Sequence, residues 1–315
     1  MLKLKCRMFE ESKKSTASEN IIITIIIFLV MFVVIQLAES LIPSIMSNSE
    51  LKQRIIAEGT TDIKRSMEIS VDVMMQPKYL IPTLFCTVFG TLISIIYCRF
   101  IEARHLSSMG MRKKKAGIHY LQGLLVGFVM ISAAALLSAL FGITEISVSS
   151  SVNWRIIGLM LVGFLIQGMS EEFIFRGYLM NTLGGRHNPW LAVIISSTAF
   201  SLAHLLNPGF NLLVFFNLTL FGAFAGLYMI AFDDIWGVSA IHSIWNFTQG
   251  SFYGISVSGT GETDSLLRTT AVSDSVLLSG GDFGIEGSLV TTFVLITACV
   301  PVLMKIKKQD TSVNK

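Results

Sequence analysis

The chain has 315 residues, 52% of them hydrophobic and only 14% charged, with 24 Lys and Arg against 21 Asp and Glu. A soluble domain carries roughly a quarter charged residues, so a water-covered globular fold is excluded. The net charge of +3 calls for no nucleic acid partner, and the apolar residues fall in long blocks, the pattern of a polytopic membrane protein.

A leader carrying Lys3, Lys5, Arg7, Lys13 and Lys14 precedes the first apolar run, Ile21 to Leu37. A basic leader can also open a secretory signal. Here the run exceeds the usual length of a signal's apolar region and Gln36-Leu37-Ala38 is a poor cleavage site, so it reads as an uncleaved first helix. The stretch Glu39 to Lys78 reads as a loop before the second run, Tyr79 to Tyr97. Then come Ile118 to Phe141, Ile156 to Met169, Trp190 to Leu206, Leu212 to Phe232, Ile235 to Phe247 and Leu289 to Met304. Crossing ~30 Å of hydrocarbon takes about 20 residues. The expected fold is therefore all-α, a bundle of about eight transmembrane helices. Ile156 to Met169 spans only if its helix continues through Ser170, Glu171, Glu172 and Arg176 to about Leu183, which places charge inside the bilayer.

Lys and Arg in short loops stay on the cytoplasmic side. The leader, the group Arg99, Arg104, Arg112, Lys113, Lys114 and Lys115, and the tail Lys305, Lys307 and Lys308 share one side if there are eight spans, so both termini are expected to be cytoplasmic. Anionic lipid headgroups suit such a face. A multi-pass protein of a bacterial plasma membrane fits this layout. His105, His119 and His187, in or beside these loops, read as solvated. Asp233-Asp234, in the turn between the sixth and seventh runs, reads as a helix N-cap. The four cysteines are scattered and imply neither a disulfide framework nor a metal site.

The organisation read from these features is a leader with two peripheral helices (1–110), a helical core (111–255) and a Gly/Ser-rich loop with a final helix and basic tail (256–315). Gly123 with Gly127, and Gly222 with Gly226, are four apart and allow close helix packing. The loop from Gly254 to Gly287 reads as mobile, with a lid role open.

Three successive segments are polar where lipid demands apolar residues: Ser170-Glu171-Glu172-Phe173-Ile174-Phe175-Arg176, Phe200-Ser201-Leu202-Ala203-His204 and His242-Ser243-Ile244-Trp245-Asn246. Residues i and i+4 share a helix face, so Glu172 meets Arg176 and the two neutralise charges that cost ~2.5–3.5 kcal/mol each at a helix centre. Glu171 projects about 100° away and is left as the candidate general base. His242 and Asn246 are likewise i and i+4 and offer two donors side by side, as an oxyanion requires. Any one intramembrane histidine can simply satisfy a buried carbonyl. Three such sites within 76 residues favour function.

Glu171-Glu172-x-x-x-Arg176, Phe200-x-x-x-His204 and His242-x-x-x-Asn246, in this order, resemble the motifs of the CPBP family (CAAX protease and bacteriocin-processing, or Abi, proteins), intramembrane endopeptidases. The resemblance covers roughly residues 110 to 255. It implies hydrolysis of a membrane-associated protein or peptide, with Glu171 activating a water, His204 helping to hold it, His242 and Asn246 stabilising the oxyanion, and Glu172, Arg176 and Phe200 in support. Glu171, His204 and His242 are also the set that a zinc ion would take. His-Glu-x-x-His is absent, and a glutamate and histidine water site without metal needs fewer assumptions. The alternative is a non-catalytic immunity or scaffold protein that binds a peptide through the same polar cavity. A small transporter would show repeated halves and broken helices, and neither is present in the sequence. Nothing in the residues sets the substrate or the oligomeric state.

Overall fold

Backbone in hydrocarbon must satisfy its own N–H and C=O groups, and the apolar runs accordingly fold as helices. The computed structural model describes residues 4, 6–16, 18–261 and 263–313; Lys3 and Lys5 of the leader lie outside the described residues. The short α1 (Arg7–Ser12) leads to α2 (Ile21–Glu58), α3 (Ile63–Met74), α4 (Pro77–Cys86) and α5 (Val88–Ile96). The core follows with α6 (Ala116–Leu140), β1 (Thr144–Val148), α7 (Trp154–Glu172), a π-helical stretch Phe173–Met180, α8 (Asn181–Arg186), α9 (Pro189–Leu202), α10 (Leu212–Phe232) and α11 (Trp236–Phe247). A π-helical turn Thr248–Phe252, β2 (Leu267–Ala271), α12 (Val276–Ser279) and α13 (Leu289–Val313) complete it.

Among the described residues, six helical stretches are long and apolar enough to cross a membrane: Ile21–Glu58, Pro77–Ile101, Ala116–Leu140, Trp154–Arg186, Leu212–Phe232 and Leu289–Thr311. The expected eight included α9 and α11. α9, with 14 residues, and α11 with its π-helical continuation, 12 and 5 residues, reach only about 21 and 25 Å at 1.5 Å per residue, short of the ~30 Å needed.

The first helix does not stop at Leu37 but runs to Glu58, so much of the stretch expected as a loop is helical. No glycine interrupts it before Gly59, whose φ of +62° ends the helix in the left-handed conformation. Asp62 then caps α3 through Lys64 N at 3.1 Å. The fourth span runs without a break from Trp154 to Arg186, carrying its charges inside, as its length required. An all-α fold is corrected in one place: β1 and β2 pair antiparallel, Thr144 opposite Ala271 and Val148 opposite Leu267. The β-branched Thr144, Ile146 and Val148 suit a strand.

The core packs α11 against both α6 and α7, and α10 against α9 and α13. A Cβ at Gly123 would stand 2.1 Å from the Gly237 carbonyl oxygen, and one at Gly127 2.5 Å from that of Ile241; the absence of side chains lets α6 lie on the backbone of α11. Gly222 and Gly226 do the same for α10, against Ser197 and Met180. Both ends of the chain meet one end of the bundle. Met8 N donates to Asp233 Oδ1 at 3.1 Å, Arg112 pairs with Asp233, and Gln309 Nε2 donates to the Ala231 carbonyl at 3.1 Å.

Several local readings change. Asp233 closes α10 with φ of +56°, and only Asp234 serves the N-terminus of α11, accepting from Trp236 N at 3.1 Å. His105 is exposed, but His119 is part-buried and bonded to Asp234, and His187 Nε2 is buried; tertiary packing of the loops removes both from full solvation. All four cysteines are free thiols. The Gly/Ser-rich segment after Gly254 is fastened rather than loose, through β2, two 3₁₀ turns and hydrogen bonds to the core.

Candidate active site

Glu172 stands on α7 where the α-helix gives way to its π-helical continuation, a feature common at functional sites. Its Oε1 accepts from Arg176 Nη1 at 2.8 Å, and both side chains are fully buried. The guanidinium also lies over the Phe200 ring, 4.6 Å from its centroid. The same Oε1 meets His242 Nδ1 at 2.9 Å, so one carboxylate oxygen ties α7 to α11. A carboxylate only accepts; Nδ1 therefore donates, and the ring is fixed with Nε2 aimed away from Glu172.

What Nε2 faces is Glu171, whose Oε2 lies 3.7 Å away, too far for a direct hydrogen bond. Glu171 is about one-fifth exposed while Glu172 is fully buried. Its Oε1 accepts from Gln167 Nε2, one turn earlier on α7, and its Oε2 accepts from no described residue. Gln167 in turn accepts at its Oε1 from Asn246 Nδ2 at 2.8 Å. An amide nitrogen carries two donors, so Asn246 keeps one N–H beyond that bond.

His204 follows the last turn of α9. Its Nδ1 lies 2.9 Å from the Phe200 carbonyl oxygen; a carbonyl only accepts, so Nδ1 carries the proton and Nε2 is the nitrogen left for other partners. Phe200 separates the two histidines, its centroid 5.0 Å from His204 and 5.7 Å from His242. Phe221 closes the other side of His242 at 5.2 Å. These rings exclude water and strengthen the charge interactions beside them.

The tertiary structure thus gathers Glu171, Glu172, Arg176, Phe200, His242 and Asn246 around one point on α7 and α11, with His204 across the Phe200 ring. Two residues that the sequence reading missed join them. Gln167 is signalled only as an amide four residues before Glu171. Glu39 comes from the first span: its Oε1 and Ser170 Oγ both crowd the bare backbone of Gly90, at 2.7 and 2.5 Å from where a Cβ would stand. Gln36 donates to its other oxygen at 3.2 Å.

As placed, Glu171, His204 and His242 do not form a metal-holding set. Among the described residues no three His, Cys, Asp or Glu side chains are grouped for one. No chemical step is therefore derived through a metal. The arrangement can polarise a water with a carboxylate and an imidazole, and it can donate to a developing negative charge from Asn246, and from His242 Nε2 when that ring is doubly protonated.

No curated protein and no solved structure matches the chain. Residues 152–248, which carry every group of the α7, α9 and α11 site, match the family model of the Type II CAAX prenyl endopeptidase Rce1-like proteins, in agreement with the resemblance read from the three motifs.

Proposed function

We propose that this multi-pass membrane protein is an intramembrane endopeptidase that cleaves a membrane-associated protein or peptide of the CAAX or leader-processing kind, using a water activated by Glu171. The family match supports the CAAX-type reaction. The observation that carries the mechanism is the division between the two adjacent glutamates. Glu172 is fully buried and holds both Arg176 and His242 through Oε1, whereas Glu171 is about one-fifth exposed and its Oε2, without a described donor, lies 3.7 Å from His242 Nε2.

In this reading Glu171 takes a proton from water as the oxygen attacks the scissile carbonyl, and His204 Nε2 helps orient that water. The carbonyl oxygen becomes an oxyanion, to which the second N–H of Asn246 donates, together with His242 Nε2 when that ring is the doubly protonated imidazolium; one such donor is typically worth about 10²–10³-fold in kcat. Collapse of the tetrahedral intermediate breaks the C–N bond, and Glu171 returns its proton to the leaving amine. Glu172 and Arg176 touch no reacting atom; they hold His242 through Nδ1. Gln167 orients both the base and Asn246.

The test is cleavage of a library of fluorogenic membrane peptides, prenylated CAAX sequences included, by detergent-purified protein with and without a chelator. Cleavage that is lost in Glu171→Ala and in His204→Ala, in variants that remain folded, supports the proposal. Undiminished cleavage in Glu171→Ala overturns it. Full activity in chelator is expected of a site that uses no metal.

A further inference from the structure

The matched segment ends at residue 248, yet the hydrogen bonds that brace the site do not. The His204 imidazole is held from the end of α9 by the Phe200 carbonyl and ring, but the stretch that follows it to α10 is irregular. The brace comes from residues 254–261 and 263–287, which lie beyond the match.

Asn207, three residues after His204, donates through Nδ2 to the Ser258 carbonyl at 2.8 Å. Ser258 is in turn held by Glu286: its backbone N–H and its Oγ donate to Glu286 Oε2 at 2.7 and 3.1 Å. Gln249 Nε2 donates to the same oxygen at 3.1 Å. Gln249 is fully buried, three residues after Asn246 on the continuation of α11. Its Nε2 also donates to the Ser256 carbonyl at 2.6 Å. Glu286 itself is fixed at its carbonyl by Asn217 Nδ2 from α10, at 2.7 Å. One buried carboxylate oxygen thus receives three donors and links the loop that follows His204 to the helix that bears His242 and Asn246.

A second set of contacts clasps the loop that follows His204 to the segment that bears Glu286. The Phe210 and Phe283 rings meet edge to face at 6.3 Å. Gly209, at φ of +75°, lies so close that a Cβ would stand 2.5 Å from Phe283 N.

We propose that residues 254–261 and 263–287 form a strap that sets the position of His204 relative to His242 and Asn246, and that Glu286 is its fastener and a positioning residue for the peptidase reaction. The proposal rests on the peptidase reading for its activity arm only. Because all three donors converge on one oxygen, an amide can replace the carboxylate: Glu286→Gln keeps an acceptor there, and Glu286→Ala does not. A misplacement of about 1 Å among catalytic groups costs on the order of 10²-fold. Glu286→Ala should therefore lose about 10- to 100-fold in kcat with a much smaller change in KM, and Glu286→Gln should stay within about 3-fold of wild type.

The deciding experiment pairs these kinetics with amide hydrogen exchange of the full-length protein in detergent, read over residues 203–211 and 246–258. Faster exchange in both stretches in Glu286→Ala, restored by Glu286→Gln, supports the strap. Wild-type exchange in Glu286→Ala overturns it, as does a Glu286→Gln variant that behaves like the alanine. Should Glu286→Ala fail to fold, Asn207→Ala decides, since it cuts only the link to the His204 loop: faster exchange at 203–211 supports the proposal and wild-type exchange overturns it. Exchange needs no substrate, so a wild-type protein silent toward every peptide sinks the peptidase reading while exchange still judges the strap.

Discussion

Replacing Arg176 by methionine should destabilise the protein more than any single change at its surface. Arg176 and Glu172 are both fully buried and joined at 2.8 Å. Methionine keeps most of the stem's volume but strands a carboxylate without its cation, a situation that costs about 3–5 kcal/mol. The stacking of the guanidinium on Phe200 at 4.6 Å adds roughly 0.5–2 kcal/mol to the loss. Arg176→Met should therefore fall about 3.5–7 kcal/mol below wild type. Glu172→Gln, which leaves the arginine unpaired, should be affected comparably. The double variant removes both charges and should recover at least about 2 kcal/mol relative to the sum of the single losses, because a buried pair exchanged for neutral groups is often nearly neutral. Equilibrium unfolding in mixed detergent micelles, followed by circular dichroism across this four-member cycle, measures the coupling. A double variant whose loss equals that sum, or an Arg176→Met variant within about 1 kcal/mol of wild type, would refute the claim that the pair exists to cancel buried charge.

Gln167→Leu keeps the volume of the side chain but releases both Glu171 and Asn246; kcat in the peptide assay should fall about 10-fold or more with helicity unchanged, and a wild-type rate would remove Gln167 from the site. Gly123→Val places methyl groups where Gly237 O already stands 2.1 Å from a Cβ, so α6 must lift from α11; overpacking of this kind costs about 1–3 kcal/mol, read as a lower unfolding midpoint, whereas the same change at Gly117, with open space around it, should be far milder. At the leader, partial burial pushes the Glu11 carboxyl up, but the Ser107 hydroxyl and the Arg7 guanidinium outweigh it and hold the group below its ordinary 4.5. A depressed folded value stabilises above the ordinary value and is lost as pH falls through the folded one, so docking of α1 should be complete above about pH 4.5 and weaken below it; proteolysis of the leader as a function of pH checks this, and Glu11→Gln should abolish the dependence.

The neighbour relations within single helices were legible in the sequence. Glu172 with Arg176, and His242 with Asn246, follow from a spacing of four, and the passage of the fourth span through its own charges follows from the length a bilayer demands. Six helical stretches are long and apolar enough to cross where about eight were expected; for α9 the apolar residues continue past the point where the backbone turns, Ala203 to Leu206 lying beyond its end. What depended on residues distant in the chain was not legible. That Glu172 holds His242 across 70 positions, that Gln167 divides itself between Glu171 and Asn246, and that Glu39 from α2 and Glu286 from the last loop reach this region are consequences of how the helices pack. Local periodicity specifies which face a residue occupies, since the helix repeat is set by the chain itself. Which face meets which is decided by side-chain fit between helices, at glycines such as Gly90, Gly123 and Gly127, and that fit exists only once the bundle has formed.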